Sequence, residues 1–262
     1  MKKFYFLASL PRTGSTLLAS ILNQNPNIHA SGTSALLDLL IPLSDTINFN
    51  RKLYDINHSQ EINLYRGMMN SFYDHIDKSI IFDKHRGWPR LIDPLKKMGV
   101  DNPKMLITLR PIPEIITSYI TLIEKTPNEP NAIDSILNKK GVAITNENRA
   151  MTIWTDYIFS SHTTLSLAIR DHKKQFLFIQ YDDIVNCPTE VLNKVHEFFE
   201  MEKFDKYDFN NITNNQIEKD ETGWGIKNLH TIRPELNKIS KNPENVIGKD
   251  LTKYFTQFNL KV

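Results

Sequence analysis

At 262 residues, with 40% hydrophobic and 24% charged side chains, the chain holds enough material for one large domain with a substantial core. Its 32 Lys+Arg against 30 Asp+Glu leave a formal charge of +2, which excludes the strong basic excess of a nucleic-acid-binding domain. The single cysteine, Cys187, has no internal disulfide partner, and a reducing compartment is expected.

The first ten residues, MKKFYFLASL, begin as a signal peptide does, with two lysines and an apolar stretch. Pro11-Arg12 interrupts that stretch and no small-x-small cleavage site follows. No later run approaches the ~18 apolar residues of a membrane span. A cytoplasmic protein without a membrane anchor is the expectation.

Short apolar runs bounded by breakers predict buried strands at Tyr5–Leu10, Asn27–Ala30, Ser79–Phe82, Met105–Leu109 and Phe176–Gln180. Helical periodicity falls between them. Ser15–Asn23 places Leu17, Leu18, Ile21 and Leu22 on one stripe. Gln60–Ile76, Pro89–Met98, Glu114–Glu124, Asn148–His172 and Thr189–Phe199 follow with similar patterns. Strands alternating with helices predict a single three-layer α/β domain, in which helices cover both faces of a parallel sheet of about five strands. Its ligands would bind outside the carboxyl ends of the strands. Thr126–Glu147 and Asn210–Asn228, rich in polar residues, read as mobile surface loops.

One junction carries more chemistry than a turn needs. In FYFLASLPRTGSTLL an apolar run meets Arg12, Thr13, Gly14, Ser15 and Thr16 before a leucine pair. A strand–turn–helix with glycine at the turn offers free backbone N–H groups and the positive end of a helix dipole to an anion. Capping accounts for one hydroxyl residue, Ser15 or Thr13, and leaves the arginine and the other hydroxyls over. The nucleoside-triphosphate loop G-x-x-x-x-G-K-[ST] does not fit. Aligned on Gly14, its lysine position is Ser15 and its first glycine is missing.

PRTGSTLL resembles the 5′-phosphosulfate loop of sulfotransferases that use 3′-phosphoadenosine 5′-phosphosulfate, in the arginine-bearing form of bacterial and tyrosylprotein members. That likeness assigns Arg12, Thr13, Gly14, Ser15, Thr16 and Leu17 to the donor. Three further stretches are similar in the same order. In LITLRPIPEIITSY, Arg110 and Ser118 stand eight residues apart, the family's spacing for holding the 3′-phosphate. In FLFIQYDDIVNCPTEVLNKVHEFF, Tyr181 occupies the family's tyrosine position near the phosphates. GWGIKNLHTIRPEL resembles a late loop that supplies basic groups, with Arg233 first and Lys227 behind it.

The resemblance implies transfer of a sulfuryl group to a hydroxyl or amine of a small-molecule or glycan acceptor, releasing adenosine 3′,5′-bisphosphate. Positioning and charge stabilisation would carry such a reaction. No His/Cys/Asp cluster has metal-ligand spacing, so a metal-free site is expected. Arg12 would serve the leaving phosphate, and Lys84, after an apolar strand in SIIFDKHRGWPR, matches the family lysine that assists departure. The base is open between two residues. His85 follows Lys84 directly, one position earlier than the histidine of cytosolic members. The glutamate of tyrosylprotein members falls at Thr33 here, and Asp38, about a turn into the next helix, is the nearby carboxylate. Trp88 could wall the acceptor pocket or pack in the core. Two rival readings remain, a P-loop small-molecule kinase and a non-catalytic protein that keeps the nucleotide site.

Overall fold

The computed structural model describes residues 2–51, 53–214, 222, 225–237 and 240–262. Five strands pair in the order β2-β3-β1-β4-β5, all parallel. They are β1 (Lys3–Leu7), β2 (Ile28–Thr33), β3 (Ile80–Lys84), β4 (Met105–Leu109) and β5 (Phe176–Gln180). Parallel neighbours need long crossovers, and helices supply them. The α-helices are α1 (Ser15–Leu22), α2 (Leu36–Asn50), α3 (His58–Phe72), α4 (Ile92–Lys97), α5 (Ile112–Glu124), α6 (Ala132–Lys139), α7 (Asn146–Thr152) and α8 (Phe159–His172) between strands, then α9 (Tyr181–Asn186), α10 (Pro188–Phe198) and α11 (Glu244–Thr256) after β5.

Alternation along each strand divides the core in two. Phe6, Ile81, Met105 and Ile107 face one side and pack with α2, α3, α4, α5, α7, α8 and α11. Tyr5, Leu7, Phe82 and Leu106 face the other and pack with α1, α9 and α10. An eight-residue helix such as α1 does not persist alone. Full burial of Leu18, Ile21 and Leu22, worth roughly 1.5–3 kcal/mol per side chain, holds it on the sheet. Because α1 and α5 lie on opposite faces, the chain leaves β1 and β4 in opposite directions. A crevice opens between them at the carboxyl edge.

Several boundaries differ from the sequence expectation. β1 ends at Leu7, before Ala8–Leu10, although the Ala8 N–H still donates to Leu106 O at 3.1 Å. β2 and β3 run on through Ser31–Thr33 and Asp83–Lys84, polar residues that hydropathy does not mark as strand. Stretch 126–147 is not one irregular loop, because it contains α6. Asn131 caps that helix, accepting from the Asp134 N–H at 2.9 Å, and Ile133 and Leu137 are buried beneath it. Much of the expected loop 210–228 lies outside the described residues. The sequence patterns did not mark α9 or α11. Beyond α11, Asn259 accepts from the Ile112 N–H at 2.8 Å and so caps α5. Among the described residues, no helix is long and apolar enough to cross a membrane.

Candidate active site

The junction between β1 and α1 turns sharply at the carboxyl edge of the sheet. Arg12 and Gly14 both take positive φ, 60° and 90°. A Cβ on Gly14 would lie 2.7 Å from Tyr181 Cδ2, so the close approach of the ring requires glycine here. Gly14 is the helix N-cap and no side chain caps α1. The first-turn N–H groups therefore keep their donors for a ligand. Ser15, Thr16 and Leu17 line the cavity beside them. Thr13 faces inward instead. Its buried hydroxyl donates to Leu10 O at 2.8 Å and sits 2.7 Å from Thr108 Oγ1, tying the loop to β4. Only its main chain is available to an anion.

Register and alternation place Lys84. It ends β3 opposite Leu7 of β1, on the same face as Phe82 and therefore on the α1 side. Its Nζ donates to Thr16 Oγ1 at 3.1 Å, and its own N–H is held by Ser31 Oγ at 2.8 Å. Asp83 points to the opposite face, fully buried. Tyr73 donates to its Oδ2 at 2.5 Å and Trp88 Nε1 to its Oδ1 at 2.7 Å. Burial pushes the Asp83 carboxyl above the usual range, against the hydrogen bonds from Ser34, Tyr73 and Trp88. Trp88 is thus a core residue, its ring tilted against Phe6 with centroids 4.4 Å apart, and not a wall of the cavity.

A second cluster joins β4, α5 and β5. Arg110 follows β4 and donates to Glu114 Oε2 at 3.1 Å and to Arg12 O at 3.2 Å. Its guanidinium lies 4.4 Å from the centroid of the Tyr181 ring. Arg12 Nε donates to Ser118 Oγ at 3.2 Å, and its Nη1 donates to Leu229 O. The fold thus brings together Arg12, Arg110, Ser118 and Tyr181, which are far apart in the chain. Exposed Arg233 lines the same cavity. Lys227 does not line it and pairs with Glu129 at 2.5 Å.

His85 lies just past the end of β3 and lines the cavity with Lys84. Its Nδ1 accepts the Gly87 N–H at 3.0 Å, so a neutral ring carries its proton on Nε2. Nε2 faces the Asp38 carboxylate at 3.6 Å. Burial lowers the His85 pKa below the usual imidazole value, while Asp38 and Asp83 act in the opposite direction.

Arg12, Gly14, Ser15, Thr16, Leu17, Lys84, His85, Arg110, Ser118, Tyr181 and Arg233 open onto one cavity of about 550 Å³. The sequence patterns did not single out Arg86, Glu114, Thr117, Tyr119 or Thr121, which also line it. The Tyr119 hydroxyl meets Arg86, while those of Thr117 and Thr121 are buried without a hydrogen-bond partner among the described residues. Such groups cost about 1–3 kcal/mol unless something in the cavity meets them. Chemically the cavity is a concentration of cations, amide donors and hydroxyls, suited to a ligand with several anionic groups.

No curated protein matches this sequence. Among solved structures, mouse sulfotransferase SULT7A1 complexed with PAP is 14% identical with a TM-score of 0.52, covering 97% of this chain and 82% of that one. The sulfotransferase domain from the curacin biosynthetic pathway is 15% identical with a TM-score of 0.48, covering 100% of this chain and 93% of its own. At these identities the mouse structure shows a common fold. The model of the sulfotransferase domain matches residues 3–254, nearly the whole chain, and on that match the protein belongs to the sulfotransferase domain family.

Proposed function

We propose that this protein transfers a sulfuryl group from 3′-phosphoadenosine 5′-phosphosulfate to a hydroxyl or amine, releasing adenosine 3′,5′-bisphosphate. The carrying observation is that Arg12, Arg110, Ser118 and Lys84 converge on the uncapped first turn of α1 in one cavity. Two anion-binding centres, one at residues 14–17 and one at Arg12, Arg110 and Ser118, suit a nucleotide phosphorylated at two positions.

The roles follow from the placements. Amide donors of the α1 first turn and the Thr16 hydroxyl hold the phosphosulfate. Arg12, expected from the sequence at the leaving phosphate, is bonded to Ser118 and takes the 3′-phosphate with it and Arg110, and Arg233 contributes from its exposed loop. Tyr181 supports Arg110 through its ring face. Lys84 supplies a positive charge where the leaving phosphate oxygen gains negative charge, an interaction that strengthens toward the transition state. His85 accepts the acceptor's proton at Nδ1, exchanging the Gly87 amide for it, while Asp38 faces Nε2 and orients the ring. The bond from sulfur to acceptor oxygen or nitrogen forms as the bond to the phosphate oxygen breaks. The solitary, exposed Cys187 suits a reducing, cytoplasmic setting.

Thermal-shift measurement with two nucleotides tests this reading. Adenosine 3′,5′-bisphosphate raises the melting temperature without magnesium, and ATP with magnesium does not. The opposite order would favour a kinase. Incubation with radiolabelled sulfate donor and a panel of saccharides, phenols and peptides then identifies acceptors, and a protein that binds the nucleotide without transferring label is a non-catalytic binder.

A further inference from the structure

Asp83 is a fully buried carboxylate at a core-facing position of β3, on the same face as Ile81. It does not line the cavity. Trp88 Nε1 donates to its Oδ1 at 2.7 Å, Tyr73 to its Oδ2 at 2.5 Å, and the Ser34 hydroxyl adds a further bond. Leucine at position 83 with phenylalanine at 73 and 88 would fill similar space without burying a polar atom. Replacing both partners of a buried hydrogen bond by apolar groups is nearly neutral for stability. A fully satisfied polar set serves instead to hold one geometry. The segments that meet around Asp83 show which geometry is held.

Two connections lead from Asp83 to His85. The first runs through the turn. Residues 84–87 lie between Asp83 and Trp88, and the bond from indole to carboxylate closes that turn across its base. Gly87, next to Trp88, donates its N–H to His85 Nδ1 at 3.0 Å. A Cβ on Gly87 would stand 3.1 Å from Nδ1 and 2.6 Å from Leu37 Cδ2, so the Gly87 main chain is pressed against the imidazole. Moving Trp88 therefore moves the group that meets Nδ1. The second connection runs through Ser34. Its N–H donates to Lys84 O at 2.9 Å, and its Oγ accepts the Leu36 N–H at 3.0 Å where α2 begins. About one helical turn further on, the Asp38 carboxylate stands 3.6 Å from His85 Nε2. One buried carboxylate thus braces the segments that supply the partners of both ring nitrogens.

Resting on the sulfuryl-transfer reading above, in which His85 is the base, we infer that Asp83 is its positioning residue. Through Trp88 and Ser34 it holds the imidazole in one tautomer, with the proton on Nε2 and Nδ1 as the accepting nitrogen.

Nitrogen-15 NMR of the whole chain, labelled at histidine, reads the tautomer directly, and the His85 signals are identified by their loss in His85→Asn. Burial lowers the His85 pKa, so at about pH 8 the ring is neutral. In the wild-type protein Nδ1 gives the downfield signal of an unprotonated nitrogen and Nε2 that of a protonated one. Asp83→Asn keeps an oxygen for the indole and preserves this pattern. The apolar set Asp83→Leu, Tyr73→Phe and Trp88→Phe, made in one chain, moves both signals toward the average of two exchanging tautomers. Trp88→Phe alone removes the indole donor, keeps an aromatic ring and moves them the same way, so the result does not depend on the triple variant folding. Adenosine 3′,5′-bisphosphate still raises the melting temperature of these variants by the wild-type increment, because the first turn of α1, Arg110 and Ser118 lie outside the Asp83 contacts. A wild-type tautomer in Trp88→Phe and in the apolar set overturns the inference and leaves Asp83 as core filling. Loss of the pattern in Asp83→Asn as complete as in the apolar set also overturns it, since charge and not the placement of an oxygen then governs the ring. Failure of the bisphosphate to stabilise the wild-type protein is a separate result, which removes the sulfuryl-transfer reading and leaves the His85 spectra as they are.

Discussion

Replacing Arg110 with alanine tests the doubly anionic nucleotide site most directly. Two effects add. The phosphate loses a charge-assisted contact, worth about 1.5–3 kcal/mol. The substitution also strips the partner from Glu114, which accepts from Arg110 at 3.1 Å in the intact site. An unpaired carboxylate about 6 Å from a phosphate, at an effective dielectric of about 20, repels it by roughly 2–3 kcal/mol per unit charge. Glu114 is about one-fifth exposed, so solvent screening reduces that figure. Calorimetric titration with adenosine 3′,5′-bisphosphate should therefore show at least a tenfold loss of affinity for Arg110→Ala, and about a hundredfold if repulsion contributes. The double variant Arg110→Ala, Glu114→Gln should recover about one order of magnitude of that loss. Unchanged affinity in Arg110→Ala would take this residue out of the site. A double variant no tighter than the single one would refute the repulsion argument while leaving the contact in place.

Other perturbations probe neighbouring parts of the design. Lys84→Ala should lower kcat by about 10²–10³ while changing the bisphosphate Kd several-fold at most; a loss confined to binding would contradict a role in leaving-group stabilisation. Gly14→Ala places a methyl group 2.7 Å from the Tyr181 ring at φ 90°. It should reduce stability by about 1–3 kcal/mol and weaken the nucleotide, and a wild-type urea midpoint would contradict the packing argument. His29, edge-on to Tyr73 at 5.6 Å, has its pKa lowered to about 4 by burial and by nearby Lys78, His75 and Lys2. The unfolded chain takes up that proton more readily, so this contribution is complete above about 6.5 and is lost as pH falls toward about 4. Melting temperature should decline across that window, with a shallower decline in His29→Asn; identical slopes would exclude His29 as the cause.

The parallel strands were legible because, buried on both faces, they read as nearly continuous apolar runs. Legibility failed at their carboxyl ends. Ser31, Gly32 and Thr33 of β2 and Asp83 and Lys84 of β3 belong to the sheet, yet their polarity breaks the apolar pattern. Those are the positions that face the cavity or support its rim, so hydropathy fails where chemistry begins. The loop at residues 12–17 and the Arg110–Ser118 spacing were readable because each is local in the chain. Arg86 and Tyr119 were not, since only the folded chain brings the end of β3 and the middle of α5 to one cavity. Thr13 shows the reverse case: a hydroxyl in the right motif whose side chain serves β4 through Thr108. Residues 132–139 looked irregular because Pro130, Asn131 and Gly141 flank so short a helix.

The bond from Asn259 to the Ile112 amide gives the cavity a temporal dimension. Ribosomes make the Arg12 turn well before Leu229, which accepts from Arg12, and Asn259, which secures α5. A nascent polypeptide therefore holds the glycine turn long before the helix bearing Ser118 is locked in place. Binding competence should arrive abruptly, once Asn259 has been added, and not grow in step with length.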